Sequence, residues 1–396
     1  MKIRIFDDEE RQRAKFLEDI KAAELSSETF DVGVLADQEF QNALDGMRAR
    51  QTAFRKSGTW ETDGANLLDD VDVLIVDFDL FATDRDAMDA DQVAYQARCF
   101  TTCGIIVLMN RLAHNPFDLT AKNHPASFSD LEIGQKQLGS RVLWETGQED
   151  FAPWYWPVLP RLVEGYEKRV QDVKDALQKG LMVREMLEFP EETWKWLPRN
   201  VLQFLGEDDR LDVFLRTSPF GLYPRDRNAL GTELHDIDTA CVSHLLAARI
   251  SKWIEWLVLP ELDILIDAPH LISRFPSLLK GDRSVVEEWN AVAVRHTDIV
   301  PGMDTDVLEP FRLKKSYWLS RPVWFWRDTL DCEEIDDVRE PWNIEAPPWV
   351  FCEDTSSFHP EDESHLYKAE TVSPFASRYV KMLNDVNYLP LQRFAL

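Results

Sequence analysis

Short apolar segments alternate with segments of helical spacing over residues 1–110, and this alternation constrains the fold more than any other feature of the chain. The predicted strands are residues 2–6, 31–35, 71–76 and 104–109, and the predicted helices cover residues 10–23, 40–54 and 90–100. The last two strands are almost continuously apolar, which is typical of parallel strands that are covered on both faces. We therefore predict a doubly wound parallel α/β sheet.

Acidic side chains directly follow two of the predicted strands. Asp7 and Asp8 come after the first strand, and Asp77 ends the third. In a doubly wound sheet, functional groups gather at the carboxyl ends of the strands, so these three carboxylates are expected to meet there. Carboxylate oxygens are the ligands that Mg2+ prefers. The sequence therefore predicts a metal site formed by Asp7, Asp8 and Asp77.

This arrangement resembles the response-regulator receiver family, whose fold is flavodoxin-like. In that family an acidic pair after the first strand binds magnesium, and an aspartate that ends the third strand accepts phosphate. The resemblance covers roughly residues 1–110 and implies that Asp7 and Asp8 form the magnesium pair and that Asp77 is the phosphoacceptor-like residue.

Two positions depart from the receiver pattern. The family has a threonine or serine at the end of the fourth strand, where this chain is expected to have Met109, and a thioether cannot donate the required hydrogen bond. The family also has a lysine after the fifth strand, and Lys122 follows Met109 too closely for an intervening helix and strand. These departures favour a degenerate receiver, or pseudo-receiver, over a working atypical phospho-receiver.

A second interpretation starts from the Asp77-Phe78-Asp79 sequence. An Asp-x-Asp pair that closes a buried strand, near Asp7 and Asp8, also resembles metal-dependent phosphohydrolase and nuclease folds such as Toprim. Both carboxylates can converge only where the strand ends, because successive strand residues point to opposite faces. This enzymatic alternative remains open at the level of sequence.

The length of 396 residues exceeds a comfortable single core, and we divide the chain into three parts. Residues 1–150 form the receiver-like α/β domain, residues 151–180 a Trp/Pro-rich connection and linker helix, and residues 181–396 a larger, mainly helical α+β domain of unknown function. Within the first part, residues 129–138 are expected to form a short helix and residues 141–144 an edge strand.

The linker helix carries apolar residues at heptad-like spacing: Val163, Tyr166, Val170, Val173 and Leu177. Two heptads are too few to define a coiled coil. The face is expected to pack against its own chain or to form a homodimer seam through residues 163–177.

The net charge of −27 opposes direct binding to nucleic acid. Residues 331–363 contain twelve acidic residues and one basic residue, Arg339, interleaved with tryptophans. Trp342, Trp349, Glu353 and Asp354 are therefore candidates for a surface that docks a basic partner protein or mimics nucleic acid. The simpler interpretation is a solvated surface over an aromatic core.

The sequence contains no long uncharged apolar stretch and no secretory leader, so we expect no membrane partner. Five scattered cysteines indicate reduced thiols and a cytoplasmic protein. The leading hypothesis is a non-enzymatic regulatory or adaptor protein that binds a protein partner, with Mg2+ as its one candidate cofactor. Degenerate receiver-like modules resemble parts of bacterial signalling and antiviral defence systems, by analogy only.

Overall fold

The computed structural model describes residues 1–23, 30–57, 59, 64–80, 89–110, 127–145, 158–205, 239–275, 278, 303–335, 349–367 and 378–384. From the N-terminus, its first elements are β1 (Lys2–Phe6), α1 (Glu10–Ala22), β2 (Asp31–Val34), α2 (Asp37–Ser57), β3 (Val73–Asp77), α3 (Ala90–Phe100), β4 (Ile105–Asn110), β5 (Leu131–Gly134) and α4 (Leu159–Lys179).

The C-terminal part combines short helices with small sheets. Its elements are α5 (Val183–Met186), α6 (Glu191–Trp194), α7 (Arg199–Gln203), α8 (Thr239–Trp253), β6 (Leu265–Asp267), α9 (Ala268–Arg274), α10 (Thr305–Leu308), β7 (Val323–Phe325), β8 (Trp349–Cys352), β9 (Ser357–Pro360), β10 (His365–Tyr367) and β11 (Arg378–Val380). Strands β6 and β7 pair with each other, and the last four strands form a sheet in the order β10-β11-β8-β9.

The N-terminal sheet has five parallel strands in the order β2-β1-β3-β4-β5. This order is that of flavodoxin-like sheets, in which the strand order, and not the strand direction, reverses between β1 and β3. All five residues of β3 are buried, as the apolar run predicted. The prediction of a parallel α/β sheet is therefore confirmed, and the sheet is compatible with a receiver-like fold.

The edge of this sheet differs from the prediction. The fifth strand is Leu131–Gly134, which lies inside the segment predicted to be a helix, and the predicted edge strand at residues 141–144 contains a 3-10 turn at Arg141–Leu143. Asp130 explains the strand pairing, because its amide donates to the carbonyl of Ile106 (2.8 Å) and its side chain accepts from the amide of Ile106 (2.7 Å). The 3-10 turn Gln135–Gly139, which follows β5, packs against α1.

The long helix α4 packs within its own chain. Tyr166, Val170 and Val173 are buried, and α4 lies against α8. These central positions of the predicted dimer seam are therefore occupied by the chain's own core. Dimerisation through the rest of the helix remains a prediction, as do the proposed domain boundaries.

A buried polar network ties α3, α4 and α8 together. Arg98 donates to the hydroxyl of Tyr166 (2.9 Å) and forms an ion pair with Asp130. The Tyr166 hydroxyl also lies 3.2 Å from Nδ1 of His244. Burial lowers the pKa of His244 to about 4, so its ring is neutral at pH 7. One apolar core runs from the N-terminal sheet through α4 and α8.

A second apolar core supports the small C-terminal sheets. It includes Leu271, Phe275, Trp324, Phe351 and Phe358, which come from α9, from the residue directly after it and from three different strands. Helices and short sheets thus share this part of the chain, which agrees with the α+β prediction in coarse terms. None of the helices in the described ranges is long and apolar enough to cross a membrane.

Gly104 provides a test of the packing at the start of β4. A Cβ built on Gly104 would lie 2.5 Å from the carbonyl oxygen of Asp72, which is backbone and cannot rotate away. We expect Gly104→Ala to lower the free energy of unfolding by about 1–3 kcal/mol because the two strands must separate. Urea denaturation measures the change, and Gly64→Ala is the matched control because its Cβ would meet no atom within 4 Å. Equal stabilities of the two variants would contradict the prediction.

Candidate functional site

Three carboxylates meet at the carboxyl edge of the parallel sheet. Asp7 follows β1, Asp8 follows Asp7, and Asp77 is the last residue of β3, the strand that pairs with β1. Each of the three offers an oxygen that lies within 4.8 Å of the others. The grouping predicted from the sequence is therefore present in the structure.

The first strand and its following turn hold Asp7 in place. The ring of Phe6 stacks on Phe40 in α2 with ring centroids 3.5 Å apart, which anchors the end of β1. Asp7 then accepts a hydrogen bond from the amide of Glu9 (2.7 Å), just before α1 begins. On the neighbouring strand, the amide of Phe78 donates to the carbonyl of Met109 (2.9 Å) and fixes the backbone after Asp77.

The donor chemistry of this group fits a hard divalent cation. Asp7 and Asp77 are fully buried (0% exposed), and Asp8 is half-buried. Bringing three like charges this close in a region of low dielectric constant is costly unless positive charge compensates them. All three candidate ligands are carboxylate oxygens, which suit Mg2+.

Asp79 does not join this cluster. Its side chain is exposed, and the carboxylate group within 4.8 Å contains only Asp7, Asp8 and Asp77 among the described residues. The Asp77-Phe78-Asp79 arrangement therefore does not converge on one site in this structure, because the two carboxylates lie in different environments.

The polar residue at the end of β4 is Asn110. Met109 is buried opposite Asp77 in the strand register, and Asn110 follows it with a half-buried side chain. The Asn110 amide donates to Glu132 on β5 (2.7 Å). Sequence reasoning missed both residues: Asn110 is the first polar side chain after the apolar run, and Glu132 could not be placed until β5 was known.

The lysine expected after the fifth strand has a new candidate position. Lys122 lies outside the described residues. The fifth strand ends at Gly134, and the first lysine after it is Lys136, whose backbone belongs to the 3-10 turn Gln135–Gly139.

The predicted acidic partner surface is not formed by Glu353 and Asp354. Both side chains are 0% exposed, whereas a docking surface requires accessible groups. Asp354 accepts hydrogen bonds from the amides of Lys381 and Met382 (2.8 and 3.0 Å). Trp349 is half-buried and packs against the second core, and Trp342 lies outside the described residues.

Glu353 instead belongs to a buried ion network. Its two oxygens accept from Nε and a terminal nitrogen of Arg378 at 2.5 and 2.6 Å. Nε2 of His270 lies 3.3 Å from Glu353, and Nδ1 of His270 lies 2.7 Å from Asp267. The network joins β6, α9, β8 and β11, so it holds the C-terminal elements together.

The charges in this network set the pKa values of its members. Burial raises the pKa of Glu353, but the Arg378 guanidinium outweighs it, and the pKa falls to about 2. Burial lowers the pKa of His270, but Asp267 and then Glu353 outweigh it, and the pKa lies above its ordinary value. The arrangement therefore favours the charged forms. We call the four residues Asp267, His270, Glu353 and Arg378 the clamp, because they hold the C-terminal elements together.

A comparison with protein-family models, with curated proteins and with solved structures gave no match for this chain.

Proposed function

We propose that this chain is a regulatory protein whose receiver-like domain holds a divalent cation at Asp7, Asp8 and Asp77 and which acts by binding a partner protein. The single observation that supports the cation site is the convergence of three carboxylates within 4.8 Å, two of them fully buried. Positive charge stabilises carboxylates that lie this close together, and oxygen ligands favour Mg2+ or Mn2+.

A regulatory role is favoured over substrate turnover by the surroundings of the site. Asp77 is buried, and its neighbour in the β3–β4 register is the thioether of Met109. The same sheet shares its core with α4 and α8, and the Arg98–Tyr166–His244 network joins these helices to the sheet. A conformational change at the carboxylate edge of the sheet could therefore be transmitted to α4 and α8 through this continuous core.

A working phospho-receiver is the second candidate. It uses the same carboxylates, with Asp77 as the phosphoacceptor, and Asn110 at the end of β4 carries a hydrogen-bond donor, its side-chain amide, which donates to Glu132. A bound divalent cation would offset the charge of a phosphoryl group on Asp77. The metal-dependent phosphohydrolase or nuclease alternative is weakened because Asp79 lies outside the cluster.

The decisive experiment is a calorimetric Mg2+ titration, with Mn2+ binding followed in parallel by electron paramagnetic resonance. We expect one site per chain, and we expect Asp7→Asn and Asp77→Asn each to weaken binding at least about tenfold because a charged ligand is lost. The matched control is Asp70→Asn, whose carboxylate is 91% exposed and pairs with Lys2. The control should bind the cation like the wild type.

The same samples distinguish the two candidates. A cation that raises the melting temperature of the wild type but not of Asp77→Asn supports the site through ligand-linked stability. Addition of beryllofluoride to the Mg2+-loaded protein then separates the functions: a saturable response that requires Asp77 favours the phospho-receiver, and no response favours the cation-loaded adaptor. Absence of wild-type affinity below millimolar concentration would refute both.

A further inference from the structure

We propose that a second site, separate from the carboxylate cluster, binds a small phosphomonoester in a cleft between α4 and residues 316–322. The cleft has a volume of about 440 Å³. This volume falls in the usual range for small-molecule sites. Its walls come from the first turns of α4 and from the segment that leads into β7, so it lies among elements unrelated to Asp7, Asp8 and Asp77.

The charge of the cleft is opposite to that of the protein. Arg161, Lys168 and Arg321 line it, and Glu164 is the one acidic residue among the lining residues that the structure describes. The whole chain carries 71 acidic and 44 basic residues, so a group of three cations with one anion is a local reversal of sign. Arginine and lysine are the side chains that recognise phosphate, the first by paired donors and the second as a compact charge.

Arg321 provides a fixed cation at the cleft. Its side chain is only 3% exposed, and its guanidinium lies 3.8 Å from Asp267 and 3.2 Å from the Ser320 hydroxyl. The distance to Asp267 exceeds that of a hydrogen bond, so the two side chains form an ion pair without a direct hydrogen bond. A cation held in this way is ordered before a ligand arrives, which lowers the entropic cost of binding.

The two walls of the cleft, α4 and residues 316–322, are held rigidly together because their backbones approach very closely. A Cβ on Gly165 would lie 2.7 Å from the Tyr317 carbonyl oxygen, so only glycine permits this approach. Asp172 accepts from the Tyr317 hydroxyl (2.6 Å) and from the Trp318 indole (2.8 Å) and pairs with Lys315 (3.2 Å). Asp172, an acid beside the cleft that does not line it, is therefore already engaged with two donors and a cation.

Lys168 completes the set from the helix side. Its ammonium lies 5.9 Å from the centre of the Tyr317 ring, within the range of a cation–π contact. This contact biases an otherwise flexible side chain toward the cleft. A phosphate group in the cleft would thus meet two cations from α4 and one from the segment before β7, while the cleft volume leaves room for the organic part of a phosphomonoester.

The test is calorimetric titration of the full chain with glycerol phosphate and, separately, inorganic phosphate, at low salt and in the presence of EDTA. EDTA removes divalent cations, so the carboxylate cluster cannot contribute. We expect saturable binding that weakens as salt is added. Failure of cation binding at Asp77 would leave this result unchanged, so the two proposals fail independently.

Four variants assign the binding to the cleft. Arg161→Gln and Lys168→Gln should each weaken binding about five- to tenfold, and Glu164→Gln should tighten it because a negative charge that lines the cleft is removed. Lys314→Gln is the matched control: it makes the same charge change on an exposed side chain outside the cleft and should leave affinity unchanged. Arg161 and Lys168 are used because replacement of the buried Arg321 would also disturb folding.

Two results would overturn the proposal. Absence of saturable binding by the wild type would remove the site altogether. Equal weakening by Lys314→Gln and Lys168→Gln, with no gain from Glu164→Gln, would show that the anion responds to general surface charge and that the cleft has no selective role. Tighter binding of glycerol phosphate than of inorganic phosphate would support a site for phosphomonoesters.

Discussion

Replacing Arg378 with methionine is expected to lower the free energy of unfolding of the C-terminal part by about 3–5 kcal/mol. Arg378 is 2% exposed and holds both oxygens of Glu353, which is fully buried. Removal of the guanidinium leaves a carboxylate in a low-dielectric interior without its strongest partner. Such a loss exceeds the effect of most single substitutions because the remaining charge cannot be solvated.

Urea denaturation followed by tryptophan fluorescence and circular dichroism measures this change. The double variant Glu353→Gln/Arg378→Met should recover a large part of the stability, because the buried charge is then absent. Arg312→Met is the matched control, since Arg312 pairs with Glu309 at the surface at 3.7 Å, and it should change the free energy of unfolding by less than about 0.5 kcal/mol. An equally small loss in the free energy of unfolding for Arg378→Met would show that the clamp does not stabilise the fold.

The clamp also gives a pH dependence with a defined sign. The pKa of Glu353 is about 2 in the folded chain against an ordinary 4.5, so its contribution to stability is present above pH 4.5 and is lost as the pH falls toward 2. The Arg378→Met variant should lack this contribution. Its deficit relative to the wild type should therefore shrink as the pH is lowered through this window.

The second large effect is a rise in stability with pH that depends on Lys252. This lysine in α8 is buried and donates from Nζ to the carbonyls of Ser127 (2.8 Å) and Ser129 (2.9 Å). Burial, assisted by the nearby Arg249, lowers the pKa of Lys252 to about 7 from an ordinary 10.5. Between these pH values Lys252 carries a proton in the unfolded chain but not in the folded chain. The free energy of unfolding therefore rises with pH in this window.

The difference between the folded and unfolded pKa of Lys252 corresponds to a rise of about 3–5 kcal/mol in the free energy of unfolding from pH 7 to pH 10.5. We expect Lys252→Met to abolish this rise, so that the stability of the variant relative to the wild type is greatest below pH 7 and declines toward pH 10.5. Denaturation curves at pH 6.5, 8 and 9.5 measure the slopes. Lys179→Met, at an exposed position on α4, is the control and should keep the wild-type slope. A Lys252→Met slope equal to that of the wild type would rule out the buried ammonium as its source.

The sequence alone was sufficient for the central sheet and for the carboxylate cluster. The strands β1, β3 and β4 are short apolar runs, and strand polarity in a parallel sheet brings their carboxyl ends to one edge. Asp7, Asp8 and Asp77 therefore had to meet once these strands were recognised. Both inferences use local spacing and a general rule of topology, and neither requires knowledge of distant contacts.

Only the tertiary structure determined the position of the fifth strand and the burial of Glu353 and Tyr166. Leu131–Gly134 is too short to be identified by periodicity, and it becomes a strand because β4 offers an unpaired edge beside Asp130. Glu353 lies in an acidic segment that the sequence predicts to be a surface. It is buried because it pairs with Arg378, which is 25 residues further along the chain. Tyr166 likewise faces α8 and not a second copy of the chain. In each case the deciding partner lies far away in the sequence, so residue spacing carries no information about it, and only the folded chain brings the two groups together.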